Sequence, residues 1–292
     1  MLFQKVSIVG VGLLGGSLGL AVRERQLAGR VEGWVRRRES VAECHEREVA
    51  DLVTTDLKAV VANADLIVLC TPVEHMRENL EPVLSSLKPG AIVTDVGSVK
   101  SVVVRELEAL VAQAGGCFIG SHPMAGGERV GVAWSRSDLF ARAVCAVTPT
   151  EATSVVAVEK LTEFWEGIGM RVLNLTPERH DEFVARTSHL PHLLATVLAG
   201  YVLDPGFPSE QRELCAGGFR DTTRVASGPV EMWQGIISAN QVNLAKDLAA
   251  VETRLSELRG ALERNDLSAI ERVLREANER REAWLVGANG KE

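Results

Sequence analysis

One stretch near the start of the chain constrains the fold more than any other. Val6-Ser7-Ile8-Val9 is a short β-branched run that passes directly into Gly10-Val11-Gly12-Leu13-Leu14-Gly15-Gly16-Ser17-Leu18 and then an apolar helical stretch to Val22. The order is strand, tight glycine turn, helix. A dinucleotide site needs that order, because Gly10 permits the turn, Gly12 lets the backbone approach a pyrophosphate, and Gly15 lets the helix pack close on the strand. The helix N-terminus, opened by Leu13 and Leu14, then offers free N–H groups to phosphates. A tight strand-to-helix turn without a ligand has the same pattern.

Residues 31–35 form a second strand that ends at Arg36-Arg37-Arg38, and residues 39–49 have the composition of a helix. An acidic residue at that tip would bond the ribose 2′-OH of NAD, whereas arginine accommodates the 2′-phosphate of NADP. Glu32 lies inside the strand and the tip is basic, so Arg36, Arg37 and Arg38 favour NADP over NAD, against the alternative of a solvated turn. Strands at 65–70, 91–96, 117–119, 143–147 and 171–175 alternate with helices at 73–87, 100–114 and 151–167. That alternation predicts an α/β domain with a parallel, doubly wound sheet. Ligands in such sheets sit beyond the carboxyl ends of the strands. Thr71, Pro72, Gly97 and Ser98 therefore share a rim with the glycine turn, and Ser98 either orients a neighbouring group or caps the next helix.

His122 follows a strand, among small residues on the same rim. Dehydrogenation of an alcohol needs a base for the hydroxyl proton, and histidine's pKa suits that near neutrality. A structural histidine before proline is the alternative. From Thr176 the texture is helical, with Thr176 as N-cap and Pro177 at the first helical position. This helix is expected to run to about residue 201 with a kink at Pro191. It places His189 and His192 on one face, too few ligands for a metal, leaving polar-pocket histidines or substrate contacts. Arg220 and Arg224, four apart, could hold a carboxylate or be surface residues. A long helix over 230–265 carries Leu244, Leu248, Val251, Leu255, Leu258 and Leu262 as a coiled-coil-like seam. Its length favours a dimer interface over intramolecular core, and a last helix over 266–284 could pack back against it.

With 292 residues the chain has room for two domains, and its net charge of −7 argues against a nucleic-acid partner. No apolar run reaches membrane-spanning length. Five cysteines without a CxxC pair fit reduced thiols. The immediate entry into the first strand leaves no room for a leader, and a cytoplasmic protein is expected.

These motifs together carry a resemblance. The glycine turn, Asp95-Val96-Gly97-Ser98-Val99-Lys100, Ser121-His122-Pro123-Met124-Ala125-Gly126, Ser188-His189-Leu190-Pro191-His192 and Gly217-Gly218-Phe219-Arg220-Asp221-Thr222-Thr223-Arg224 resemble the prephenate and arogenate dehydrogenases of tyrosine biosynthesis, the TyrA family. The His-Pro-Met-Ala-Gly and Gly-Gly-Phe-Arg-Asp segments, in this order, are the specific ones. The resemblance implies a Rossmann-type domain over residues 1–175 and an all-helical substrate-binding and dimerisation domain over 176–292. It implies oxidative decarboxylation of a cyclohexadienol, with hydride passing to the nicotinamide and no metal. By the family pattern His122 accepts the ring hydroxyl proton, Ser98 positions the histidine and cofactor, and Arg224 binds the ring carboxylate. His192 lies near the substrate side chain, and His189 and Gly127 are placed with it. Trp233 matches a tryptophan that reaches the neighbouring subunit's pocket. Soon after Trp284 the chain ends, leaving no room for an appended regulatory domain. A β-hydroxyacid dehydrogenase is the competing enzyme, but it uses a lysine on the first long helix after the Rossmann domain, and residues 176–201 contain none. A non-catalytic NADP sensor is a further alternative, opposed by intact His122, Ser98 and Arg224.

Overall fold

The computed structural model describes residues 1–127 and 129–289. In chain order the elements are β1 (Phe3–Val9), α1 (Leu13–Glu24), β2 (Ala28–Trp34), α2 (Glu39–Glu46), β3 (Leu52–Thr54), α3 (Leu57–Val61), β4 (Leu66–Leu69) and α4 (Val73–Leu80). They continue with β5 (Ile92–Asp95), α5 (Ser101–Gln113), β6 (Cys117–Pro123), β7 (Val144–Thr148), α6 (Val155–Gly167) and β8 (Arg171–Asn174). Helices follow: α7 (Pro177–Val184), α8 (Leu190–Val202), α9 (Glu210–Glu213), α10 (Gly217–Thr223), α11 (Val230–Ala239), α12 (Gln241–Glu263) and α13 (Leu267–Asn289).

The strands form one sheet in the order β3-β2-β1-β4-β5-β6-β7-β8. From β3 through β6 every neighbour is parallel, β6 and β7 are antiparallel, and β7 and β8 are parallel again. All four residues of β4 and all four of β5 are buried. Helices covering both faces of a parallel sheet explain why these strands read as continuous runs rather than alternating ones. The order reverses between β1 and β4, so the turns after β1, β4 and β5 open at one edge, where a doubly wound sheet takes its ligand. Two short elements, β3 and α3, escaped the sequence pattern because three and five residues show no clear period.

Three expectations change. His122 is not in a loop; β6 extends to Pro123 because β7 pairs with it there, His122 opposite Ala146. The helix expected over 176–201 is two helices joined by a π-helical turn, Ala185–His189. Pro191 supplies no N–H, and the backbone widens just before it. The helix expected over 230–265 breaks at Asn240 (φ −123°, ψ 24°), whose side chain turns to the Asp181 carbonyl at 2.8 Å.

By contacts the chain divides into compact units at Met1–Gln241 and Val242–Glu292; within the first, α7 packs on α5 and β7, and α11 packs on α4. In the second unit Leu244 is buried, but Leu248, Leu255 and Leu262 are 40%, 57% and 61% exposed. The seam is therefore not an intramolecular core. Residues 271–284 are all exposed, so α13 does not pack back as expected. Among the described residues no helix is long and apolar enough to cross a membrane.

The turn after β1 depends on its glycines. Gly10 has φ +99°, and a Cβ on Gly15 would lie 2.1 Å from the Gly10 carbonyl oxygen. Because the obstacle is backbone, Gly15→Ala is expected to cost about 1–3 kcal/mol of stability by overpacking. Denaturant unfolding reads this directly, and an unchanged midpoint would show that α1 can lift from β1 at no cost.

Candidate active site

Beyond the carboxyl ends of β1 and β4 lies a cleft of about 440 Å³ lined by residues including Gly10, Gly12, Arg36, Arg37, Thr71 and Pro72. A Cβ on Gly12 would meet nothing within 4 Å, and among the described residues the buried Thr71 hydroxyl has no partner. Open space over a glycine, an unsatisfied hydroxyl and a helix N-terminus together fit a dinucleotide. Leu13 and Leu14 form the first turn of α1. Arg38 precedes α2 and is not among the residues lining the cleft. Glu32 is turned away from this tip, held by Lys5 at 2.6 Å and Arg30 at 2.6 Å.

The next strand ends hold a network built on charge. Lys100 and Asp95 are both fully buried and paired. Lys100 Nζ also donates to the Ser121 carbonyl at 2.9 Å, while Asp95 accepts from the Ser121 and Gly97 N–H groups at 3.0 and 2.8 Å. The Ser121 hydroxyl is held at 2.8 Å from that of Thr94 and accepts from the Trp165 indole at 3.1 Å. Successive side chains of a strand point to opposite faces, so fixing Ser121 this way directs His122 to the other side, toward α7.

There His122 Nδ1 lies 2.8 Å from His180 Nε2, and His180 Nδ1 lies 2.8 Å from Asp181 Oδ1. The Asp181 carboxylate also accepts from the N–H groups of Lys100 and Ser101 at 2.7 and 2.8 Å, satisfying the start of α5. Burial opposes the Asp181 charge, but the hydrogen bonds from His180, Ser101 and Lys100 hold its pKa below the usual carboxylate value. Burial lowers the pKa of His180, against the pull of Asp181. Burial, then His180, Lys100 and His189, hold His122 well below the usual histidine value. All three side chains are thus in the forms that a base needs near neutrality: Asp181 charged, both histidines neutral.

His189, in the π turn, is fully buried; Asn240 reaches its Nδ1 at 3.2 Å, and the Ser98 backbone lies beside its ring. Burial pushes its pKa down to about 4. His192 stacks on Trp233 with ring centroids 3.4 Å apart, and the Val225 backbone lies beside its ring. The Trp233 ring thus covers a histidine of its own chain. Arg224 lines a separate hollow of about 500 Å³ with Phe219, Arg220 and Thr223. Gly127 is exposed, and a Cβ on it would lie 3.8 Å from Leu13. Ser98 is half-buried after β5. The side chain that meets the His122 ring is His180, which no motif marked; a His-Asp pair in the first turn after Thr176-Pro177 was its only sequence signal.

Residues 18–174 match the model of the prephenate dehydrogenase nucleotide-binding domain, and residues 176–276 that of the prephenate dehydrogenase dimerization domain. Cyclohexadienyl dehydrogenase of Zymomonas mobilis is 32% identical over 268 residues, covering 90% of each chain. The crystal structure of prephenate dehydrogenase from Aquifex aeolicus with hydroxyphenyl propionate and NAD+ matches with a TM-score of 0.89 at 31% identity, over 95% of this chain and 97% of that one. Arogenate dehydrogenase of Synechocystis matches with a TM-score of 0.80 at 31% identity, over 96% and 99%.

The buried histidines make stability depend on pH. The folded His189 titrates near 4 against an ordinary 6.5, so the unfolded chain binds the extra proton first as pH falls. The stabilisation is complete above about pH 6.5 and is lost toward pH 4, by about 3 kcal/mol for this residue alone. His122, His180, His192 and Asp181 act in the same direction. The urea midpoint is expected to fall between pH 7.5 and pH 5, and a midpoint that does not move would mean the histidines charge without unfolding.

Proposed function

The chain belongs to the prephenate dehydrogenase family, and from that premise we propose that it oxidatively decarboxylates arogenate or prephenate with NADP as hydride acceptor, in tyrosine biosynthesis. The observation that carries the reading is His122, a neutral buried histidine whose Nδ1 is engaged by His180, leaving Nε2 for the substrate hydroxyl. As hydride leaves the carbon bearing that hydroxyl, His122 takes its proton. The nicotinamide, when bound, supplies the hydride acceptor. The bond to the ring carboxylate then breaks, its electron pair enters the ring, and the oxygen of the resulting phenol recovers the proton.

The remaining residues bind and orient. Arg224 pairs with the ring carboxylate, and His192, with His189 and Gly127, faces the side chain that distinguishes the two substrates. Trp233 holds His192 in place by stacking. Ser98 positions the histidine and cofactor. Gly10, Gly12, Leu13, Leu14 and Gly15 form the pyrophosphate turn, and Thr71 and Pro72 flank the bound cofactor. Arg36 and Arg37 line the cleft beyond β2, which supports recognition of a 2′-phosphate; Arg38 contributes charge from further off. The exposed row Leu248, Leu255 and Leu262 supports homodimerisation through the C-terminal helices, a partner that buries it.

Initial rates of NADP and NAD reduction with each of the two substrates test the reading. Turnover of at least one substrate, faster with NADP, is expected, and no turnover in any combination would leave an NADP-sensing role. Joint Arg36→Glu and Arg37→Glu replacement is expected to reverse the preference toward NAD; an unchanged preference would mean the 2′-phosphate is held elsewhere. His122→Asn should lower kcat by roughly 10²–10⁴-fold, the loss typical of a general base, with KM nearly unchanged. Near-normal turnover would remove His122 from the mechanism.

A further inference from the structure

The proposed chemistry asks a buried imidazole to become a cation, and the surroundings of His122 resist that. It is 8% exposed, with Lys100 before α5, His180 on α7 and His189 in the π turn all opposing positive charge on its ring. The Cys145 thiol on β7 lies against its backbone. An isolated histidine here would be a weak base, because desolvation disfavours its charged form.

Hydrogen-bond arithmetic says where the charge can go. An ionised carboxylate only accepts, so His180 Nδ1 must carry a proton and donate it to Asp181 Oδ1. A neutral His180 then has its lone pair on Nε2, which makes His122 Nδ1 the donor across the 2.8 Å contact. His122 is thereby held in the tautomer with a bare Nε2. When Nε2 takes a proton, the Nδ1 proton can pass to His180 Nε2, which moves the positive charge onto the ring that touches Asp181. Two N–H bonds form and two bonds to hydrogen break, the substrate O–H and the His122 Nδ1–H, with no electrons gained or lost. Lys100 opposes charge on His180 as well, while Asp181 and Asp95 favour it.

We infer that His180 and Asp181 are positioning residues of the reaction, forming with His122 a buried relay that sets its tautomer and receives the positive charge as the substrate hydroxyl is deprotonated. The inference rests on the dehydrogenase reading, but its first test does not need turnover. In ¹⁵N spectra of the free enzyme near neutral pH, His122 and His180 should both carry their proton on Nδ1. A proton on His122 Nε2 would overturn the relay whatever the enzyme acts on.

The second test is kinetic. His180→Gln keeps an acceptor for His122 Nδ1 but cannot receive charge. Its single-turnover rate of nicotinamide reduction should fall by roughly 10²-fold, the lower end of the range for acid–base groups, with KM little changed. The acid limb of its pH profile should move to lower pH, since the charge must then stay on His122, away from the Asp181 carboxylate. Asp181→Asn, which also loosens the start of α5, should shift the limb the same way. A rate that falls with the limb unmoved, or with KM rising in proportion, would assign both residues a structural role only. Failure of the wild-type enzyme to turn over either substrate would overturn the functional reading, and the ¹⁵N result would still decide the relay.

Discussion

One buried aspartate ties together three segments of the chain that sequence keeps far apart. Asp181 accepts from the backbone at the start of α5, about eighty residues upstream, and from the ring of His180 beside it, while its own carbonyl receives the Asn240 amide. Each interaction alone is modest, but a charged acceptor with several donors strengthens all of them. The placement of α7 and the orientation of His122 follow from satisfying this carboxylate, and the break between α11 and α12 at Asn240 answers to the backbone carbonyl of the same residue. A buried carboxylate without those donors would cost several kcal/mol.

The Lys100–Asp95 pair has a complementary role close by. Burying two charges is expensive, and a pair of this kind is tolerated where both ends are also hydrogen-bonded. Here the pair knits the carboxyl end of β5 to β6 through Ser121, while Asp95 closes the turn after β5 through the Gly97 N–H, holding the rim where Ser98 and His122 emerge. Burial, with a smaller push from this cation, keeps His122 and His180 neutral, which is the form a proton acceptor requires. The same charges therefore shape the rim and poise its chemistry.

The sheet was legible because each long strand and helix declares itself within its own residues: the β-branched run and glycine turn at 6–18, the apolar runs of β4 and β5, the Thr176-Pro177 start of α7. The basic tip of β2 could be read for the same reason. What stayed hidden depends on partners distant in sequence. His122 lies in a strand only because β7 returns antiparallel beside it. The π turn at Ala185–His189 and the break at Asn240 answer to Pro191 and Asp181 rather than to any periodicity. His180 gains its place from a contact 58 residues away, and no local pattern records that. The leucine seam of α12 was visible as a stripe, yet only its exposure distinguishes a surface awaiting a partner from a core.

The burial of the relay follows from the chemistry proposed for it. Dehydrogenation of a simple alcohol releases its hydroxyl proton for good, and a base serving that reaction needs a route to water. In an oxidative decarboxylation that ends in a phenol, the oxygen that gives up a proton recovers it once the electron pair from the broken carbon–carbon bond reaches the ring. The proton is lent and returned within one turnover. His180 and Asp181, 1% and 2% exposed, are poorly placed to discharge a proton to solvent and well placed to hold a charge briefly. A closed relay of this kind suits a reaction whose proton comes back to the atom it left.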